Sequence, residues 1–205
     1  MDSGHPLLIQ LDAPGHWDEQ LVGGKAAKLA QLTCAGFEVP RGFCLTTRAY
    51  QAFVQNAGIT AALRMELGRK SMDDMRWEEI WDAALRIRAT FLAQPLDGVL
   101  REAIAQGLAG FDASTPLAVR SSAVGEDAAG RSFAGLHESI IGVRGQQAVE
   151  DAVRLVWASL WSDAALLYRK EHALIESVPG PCRLLVDGLV CLLYTSPSPR
   201  DHLSY

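Results

Sequence analysis

The sequence predicts an α+β fold, and three observations carry that expectation. Short apolar runs of strand length are spread along the chain at Leu7-Leu8-Ile9, Phe43–Leu45, Leu117-Ala118-Val119 and Ser139–Val143. Between them, apolar residues recur every three or four positions, the period of a helix packed by one face. From about residue 60 to residue 108 that helical period dominates, so helices also form one block.

The elements follow in order. Leu7-Leu8-Ile9 reads as a strand. After Gly23-Gly24, Ala26, Leu29, Ala30 and Leu32 keep helical spacing, and Gly36 is the expected stop. Val39-Pro40-Arg41-Gly42-Phe43 is a turn into a short strand ending at Leu45. Thr46 or Thr47 then caps a helix carrying Ala49, Tyr50, Phe53 and Val54. In the helical block Leu63, Leu67, Trp77, Ile80, Trp81, Leu85 and Ile87 are core candidates, with a break at Pro95 and Gly98. Leu117-Ala118-Val119 is a buried strand with Arg120-Ser121-Ser122 at its end. The small-residue stretch from Gly125 to Gly135 buries little and reads as a loop. Beyond the strand at Ser139–Val143, Val149, Val153, Val156, Trp157 and Leu160 share one helical face. A further helix runs from Asp163 to about Ile175, and Leu184-Leu185-Val186 begins a last strand.

The 205 residues are enough to bury a real core in one domain or two small ones. A hydrophobic share of 49% beside 21% charged residues is the balance of an ordinary globular protein. A net charge of −5 argues against a broad nucleic-acid-binding face, while leaving room for a local basic pocket. No apolar run reaches the roughly 18–20 residues of a membrane helix. Met1-Asp2-Ser3-Gly4-His5 lacks a basic region followed by an apolar stretch, so no secretory signal is expected. Cys34, Cys44, Cys182 and Cys191 show no C-x-x-C spacing, which speaks against a zinc site and fits reduced thiols in the cytoplasm.

The domain is expected to span residues 1–190, with residues 191–205 a non-native or disordered tail. Tyr194-Thr195-Ser196-Pro197-Ser198-Pro199-Arg200-Asp201 follows neither periodicity, and its prolines cannot continue a central strand. From Cys191 to Asp201 the run resembles the conceptual translation of a sequencing adapter.

Two segments carry chemistry. In Val22-Gly23-Gly24-Lys25-Ala26, paired glycines let the backbone approach a phosphate, and a helix N-terminus with Lys25 supplies donors and charge. The spacing is not that of a P-loop, and the same residues also suit a plain glycine turn with a solvated lysine. In Val119-Arg120-Ser121-Ser122, an arginine at the end of a buried strand must pair or face a ligand. Its guanidinium fork suits phosphate oxygens, and Ser121 and Ser122 offer hydroxyl donors. An ion pair of Arg120 with Glu126 or Asp127 is the alternative. His137 reads as polar surface, and Glu126 and Asp127 as residues that fix the loop.

These segments stand in one order with others: the Val39–Phe43 turn, Glu126-Asp127, Ser132-Phe133-Ala134-Gly135, Ala158-Ser159-Leu160-Trp161 and Tyr168-Arg169. From about Leu21 to Val190 that series resembles the nucleotide-binding domain shared by phosphoenolpyruvate synthase, pyruvate phosphate dikinase and rifampicin phosphotransferase. The resemblance implies that the α+β chain is an incomplete ATP-grasp-type domain with a helical insertion. It implies ATP as the ligand, with Lys25 and Arg120 on the phosphates and Arg120 in the catalytic role. Gly135 would lie in a lid above them, and Ser139 stands where the family has a nucleotide-contacting threonine. Asp187 replaces an adenine-contacting glutamine and lacks its amide donor, so adenine recognition is not carried over. Mg2+ is implied too, with its ligands in a part of the family's domain that this chain lacks.

The implied activity is that of a pyruvate, water dikinase, which phosphorylates a histidine on a separate domain for transfer to pyruvate. ATP, the phosphohistidine domain and pyruvate are therefore the expected partners, and the 205-residue chain alone is expected to be inactive. A rifampicin phosphotransferase fragment and a non-catalytic nucleotide-binding module are the alternatives.

Overall fold

A computed structural model of the chain describes residues 6–13, 17–122, 138–171 and 190–194. The elements are β1 (Leu8–Gln10), α1 (Glu19–Cys34), β2 (Gly42–Leu45), α2 (Thr47–Asn56), α3 (Ile59–Leu67), α4 (Trp77–Ala93) and α5 (Gly98–Leu108), then β3 (Leu117–Ser122), β4 (Ser139–Val143), α6 (Gln146–Ser159), α7 (Asp163–Glu171) and β5 (Val190–Tyr194). The mixture of helices with a small antiparallel sheet is the expected α+β class.

The sheet order is β1-β2-β5-β3-β4, with every neighbouring pair antiparallel. The last described strand therefore lies between β2 and β3. Its backbone runs from Val190 to Tyr194, so the sheet extends four residues past the domain boundary drawn from the sequence at residue 190. The strand expected at Leu184 and the prolines of the tail lie outside the described residues.

Local chemistry sets several helix ends. Asp18 caps α1 by accepting from the Gln20 N–H at 2.9 Å, so this helix starts upstream of the glycines rather than after them. It is broken at Gly23 and resumes. Its far end is a Schellman motif around Gly36 at φ 83°. Phe37 N–H reaches the Leu32 carbonyl, and Gly36 N–H that of Thr33, each at 3.0 Å. Asp97 caps α5 through the Leu100 N–H at 2.9 Å. Thr46 sits at the start of α2 without capping it, because its hydroxyl donates instead to the Pro6 carbonyl at 2.9 Å.

The core lies between the sheet and the helices. Tyr50, Phe53, Phe91, Trp157 and Trp161 form an aromatic cluster with ring centroids 5.2–6.3 Å apart. On α6 and at its C-cap, Val149, Val153, Val156, Trp157 and Leu160 are all buried, as their spacing predicts. On α4 the expectation is half wrong. Ile80 and Ile87 are buried, but Trp77, Trp81 and Leu85 are 64%, 47% and 47% exposed. At 100° per residue α4 carries two apolar faces. The face of Ile80, Ala84, Ile87 and Phe91 turns inward, and the other does not.

Trp161 donates its indole N–H to the Tyr50 hydroxyl at 3.0 Å. Burial pushes the Tyr50 phenol well above its ordinary value, more strongly than that bond and the nearby Arg169 pull it down. A raised folded pKa means that the stability gained from the neutral phenol is complete below about pH 10 and is lost as pH rises further. Urea denaturation at pH 8 and pH 11 should therefore show a loss that Tyr50→Phe reduces. An identical pH slope in the two proteins would contradict this account.

Among the described residues, no helix is long and apolar enough to cross a membrane.

Candidate functional site

The two segments singled out in the sequence, some 95 residues apart, meet at the end of β3. Gly23 interrupts α1 at φ 74° and ψ 165°, a backbone region open almost only to glycine. This break lets the chain lie directly on β3. A Cβ placed on Gly23 would stand 2.1 Å from the Ser122 carbonyl oxygen, so the contact is backbone against backbone.

The hydroxyl of Ser122 makes two bonds there. It accepts from the Ala26 N–H at 3.2 Å and donates to the Val22 carbonyl at 3.1 Å. The helix that resumes after Gly23 has no capping side chain at the break itself, and a strand residue almost a hundred positions later supplies one. Ser122 is fully buried, and its loss would remove a partner from the Ala26 amide and from the Val22 carbonyl, which also accepts from the Cys44 thiol at 3.8 Å; a buried group left unpaired costs roughly 1–3 kcal/mol.

Lys25 follows at once. Its ammonium donates to the Ser121 carbonyl at 3.2 Å, one residue from Arg120. Arg120 is the only residue of β3 that is not buried. It pairs across the ladder with Ser139 on β4, and its Nε donates to the Ser139 hydroxyl at 3.2 Å. The start of β4 is braced in turn. Glu138 pairs with Arg88 of α4 at 2.9 Å, and its N–H donates to the Ser159 hydroxyl of α6 at 3.2 Å.

Lys25, Arg120 and Ser139 are thus gathered at one place. Gly135 lies outside the described residues, as do Glu126, Asp127, His137 and Asp187. One expectation is corrected: Ser122 does not offer its hydroxyl to a ligand, because both of its bonds are made to α1. The braces from Arg88 and Ser159 were not read from the sequence, since separations of 50 and 21 residues leave no local signal.

A lysine ammonium has three donors and a guanidinium five in a planar fork. A point charge beside a fork, next to a glycine-opened helix, fits the oxygens of a polyphosphate. Among the described residues no group of three His, Cys, Asp or Glu side chains converges to hold a metal ion. The cavity of about 230 Å³ lined by Arg101, Glu150 and Arg154 is a separate place. Arg101 is paired there with Glu150, and Arg154 with Asp151 and the Leu92 carbonyl.

Residues 19–179 match the model of the pyruvate phosphate dikinase AMP/ATP-binding domain, a stretch that contains both segments. The chain belongs to that family. Its curated relatives include a phosphoenolpyruvate synthase of Aeropyrum pernix, 40% identical over 169 residues that cover 80% of this chain and 20% of that protein. A rifampicin phosphotransferase of Streptomyces sviceus is 37% identical over 155 residues, 75% of this chain and 18% of that protein. The prodigiosin synthesizing transferase PigC of Serratia marcescens is 34% identical over 182 residues, 89% and 19% respectively. The chain spans about a fifth of the length of these relatives.

Proposed function

We propose that this AMP/ATP-binding domain serves a phosphoenolpyruvate synthase-like enzyme, a pyruvate, water dikinase. In it, ATP phosphorylates a histidine on a separate domain, and that group then passes to pyruvate. The observation that carries the reading is the anchoring of Lys25 on the Ser121 carbonyl, one residue from Arg120. Phosphoryl transfer asks a protein mainly for positioning and for fixed positive charge. Lys25 holds charge at the phosphates, and Arg120 takes the catalytic role by gripping the group in transfer. Ser139 orients the Arg120 guanidinium, and Gly135 belongs to the lid above.

The same reading makes the chain the front part of an ATP-grasp-type unit in a cytoplasmic enzyme. Mg2+ is held by carboxylates elsewhere in the parent polypeptide, and the domain alone does not turn over. The acceptor is the less anchored half. The rifampicin phosphotransferase relative, 37% identical, favours an antibiotic as the second possibility.

Calorimetric titration of the chain with Mg-ATP tests the nucleotide reading. Weak binding is expected, and Arg120→Ala should weaken it by roughly ten- to hundredfold, the worth of hydrogen bonds to a charged group. No heat from the unaltered chain, or unchanged binding in both Arg120→Ala and Lys25→Ala, would rule the reading out.

A further inference from the structure

We propose that Ser122 is a positioning residue for nucleotide binding that acts through Lys25, an inference that rests on the reading above. Its hydroxyl bonds the Val22 carbonyl on one side of Gly23-Gly24-Lys25 and the Ala26 N–H on the other. One oxygen thereby closes the turn that presents Lys25. Next to it, the Ser121 carbonyl accepts from the Lys25 ammonium. Two consecutive residues of β3 therefore hold the lysine, one by its backbone and one by its side chain, directly after the residue that supplies the guanidinium.

The fixing is internal to the protein. Ser122 is fully buried, and both faces of its hydroxyl are engaged by α1, so it does not touch nucleotide. Gly23 leaves no room for an intervening side chain, with the Ser122 carbonyl 2.1 Å from where its Cβ would lie. Without the hydroxyl, the Val22 carbonyl and the Ala26 N–H lose their shared partner. The turn then shifts, and Lys25 moves off the line of the phosphates. The position thus sets where the charge sits, while Lys25 supplies it.

A double-mutant cycle in the 205-residue chain tests this, with Mg-ATP affinity read by calorimetry and folding checked by circular dichroism. Ser122→Ala should weaken binding about tenfold in the unaltered background and less than twofold when Lys25 is already alanine, the non-additivity of residues acting as one unit. If Ser122→Ala does not fold, Ser122→Cys keeps the volume with a poorer hydrogen-bonding group, and the same pattern is expected of it. A folded Ser122 variant that binds as the parent, or one that loses equally in both backgrounds, overturns the proposal. If Arg120→Ala alone weakens binding, the nucleotide reading stands and this inference falls. If Arg120→Ala and Lys25→Ala both leave binding unchanged, the two fall together.

Discussion

Gly23→Ala is expected to cost the chain about 3 kcal/mol or more of folding stability, from two sources that add. The backbone at φ 74° and ψ 165° disfavours any residue with a Cβ, by about 1–3 kcal/mol. The new methyl would also meet the Ser122 carbonyl oxygen at 2.1 Å and its carbonyl carbon at 2.6 Å. Main chain is on both sides, so neither partner can swing away, and overpacking of this kind costs about a further 1–3 kcal/mol. Gly36→Ala is the control. Gly36 also has positive φ, at 83°, but nothing lies within 4 Å of its missing Cβ. Only the left-handed penalty of about 1–2 kcal/mol applies there. Urea denaturation of the two variants should separate these contributions. Equal losses would mean that the close approach to β3 carries no energy.

Trp157→Ala should be as severe, at about 3–5 kcal/mol. Trp157 is fully buried, 5.2 Å from the Phe53 ring and 5.7 Å from the Tyr50 ring, and removing it opens a cavity in the aromatic cluster. For a chain of this size about 1 kcal/mol corresponds to roughly 2–4 °C in melting temperature, so a fall of roughly 6–20 °C is expected. Trp81→Ala, with a half-exposed ring, should stay within about 0.5 kcal/mol of the parent. Thermal melts of the pair decide the matter. A comparable loss at Trp81 would show that the outer face of α4 is covered in solution.

That contrast also marks how far the fold can be read from the sequence. Spacing places α6 and its buried face correctly because Val149, Val153, Val156 and Trp157 outweigh Ala148 and Leu155, the apolar residues on the opposite side. It fails on α4, where Trp77, Trp81 and Leu85 repeat as regularly as Ile80, Ala84 and Ile87, and periodicity alone cannot choose between two apolar faces. The site is legible in part. Glycines before a lysine, and an arginine ending a buried strand, suggest phosphate chemistry locally and also admit a plain structural reading; that the two segments meet is shown only by the fold. The role of Ser122 is not legible at all. A serine reads as a ligand donor in sequence, and only the contact across almost a hundred residues shows its hydroxyl committed to α1.

The borrowed cap has a consequence for the order of events in folding. The half of α1 that follows Gly23 begins without a local side chain to receive its first amides, and glycine there favours disorder. That half is secure only once β3 has arrived with Ser122. Helix and strand therefore form as one cooperative step between distant parts of the chain, which places their meeting late and makes it slow relative to the local helices α3 to α5. The glycine turn before Lys25 is accordingly expected to be among the last features to take shape, after the helical block of α3 to α5.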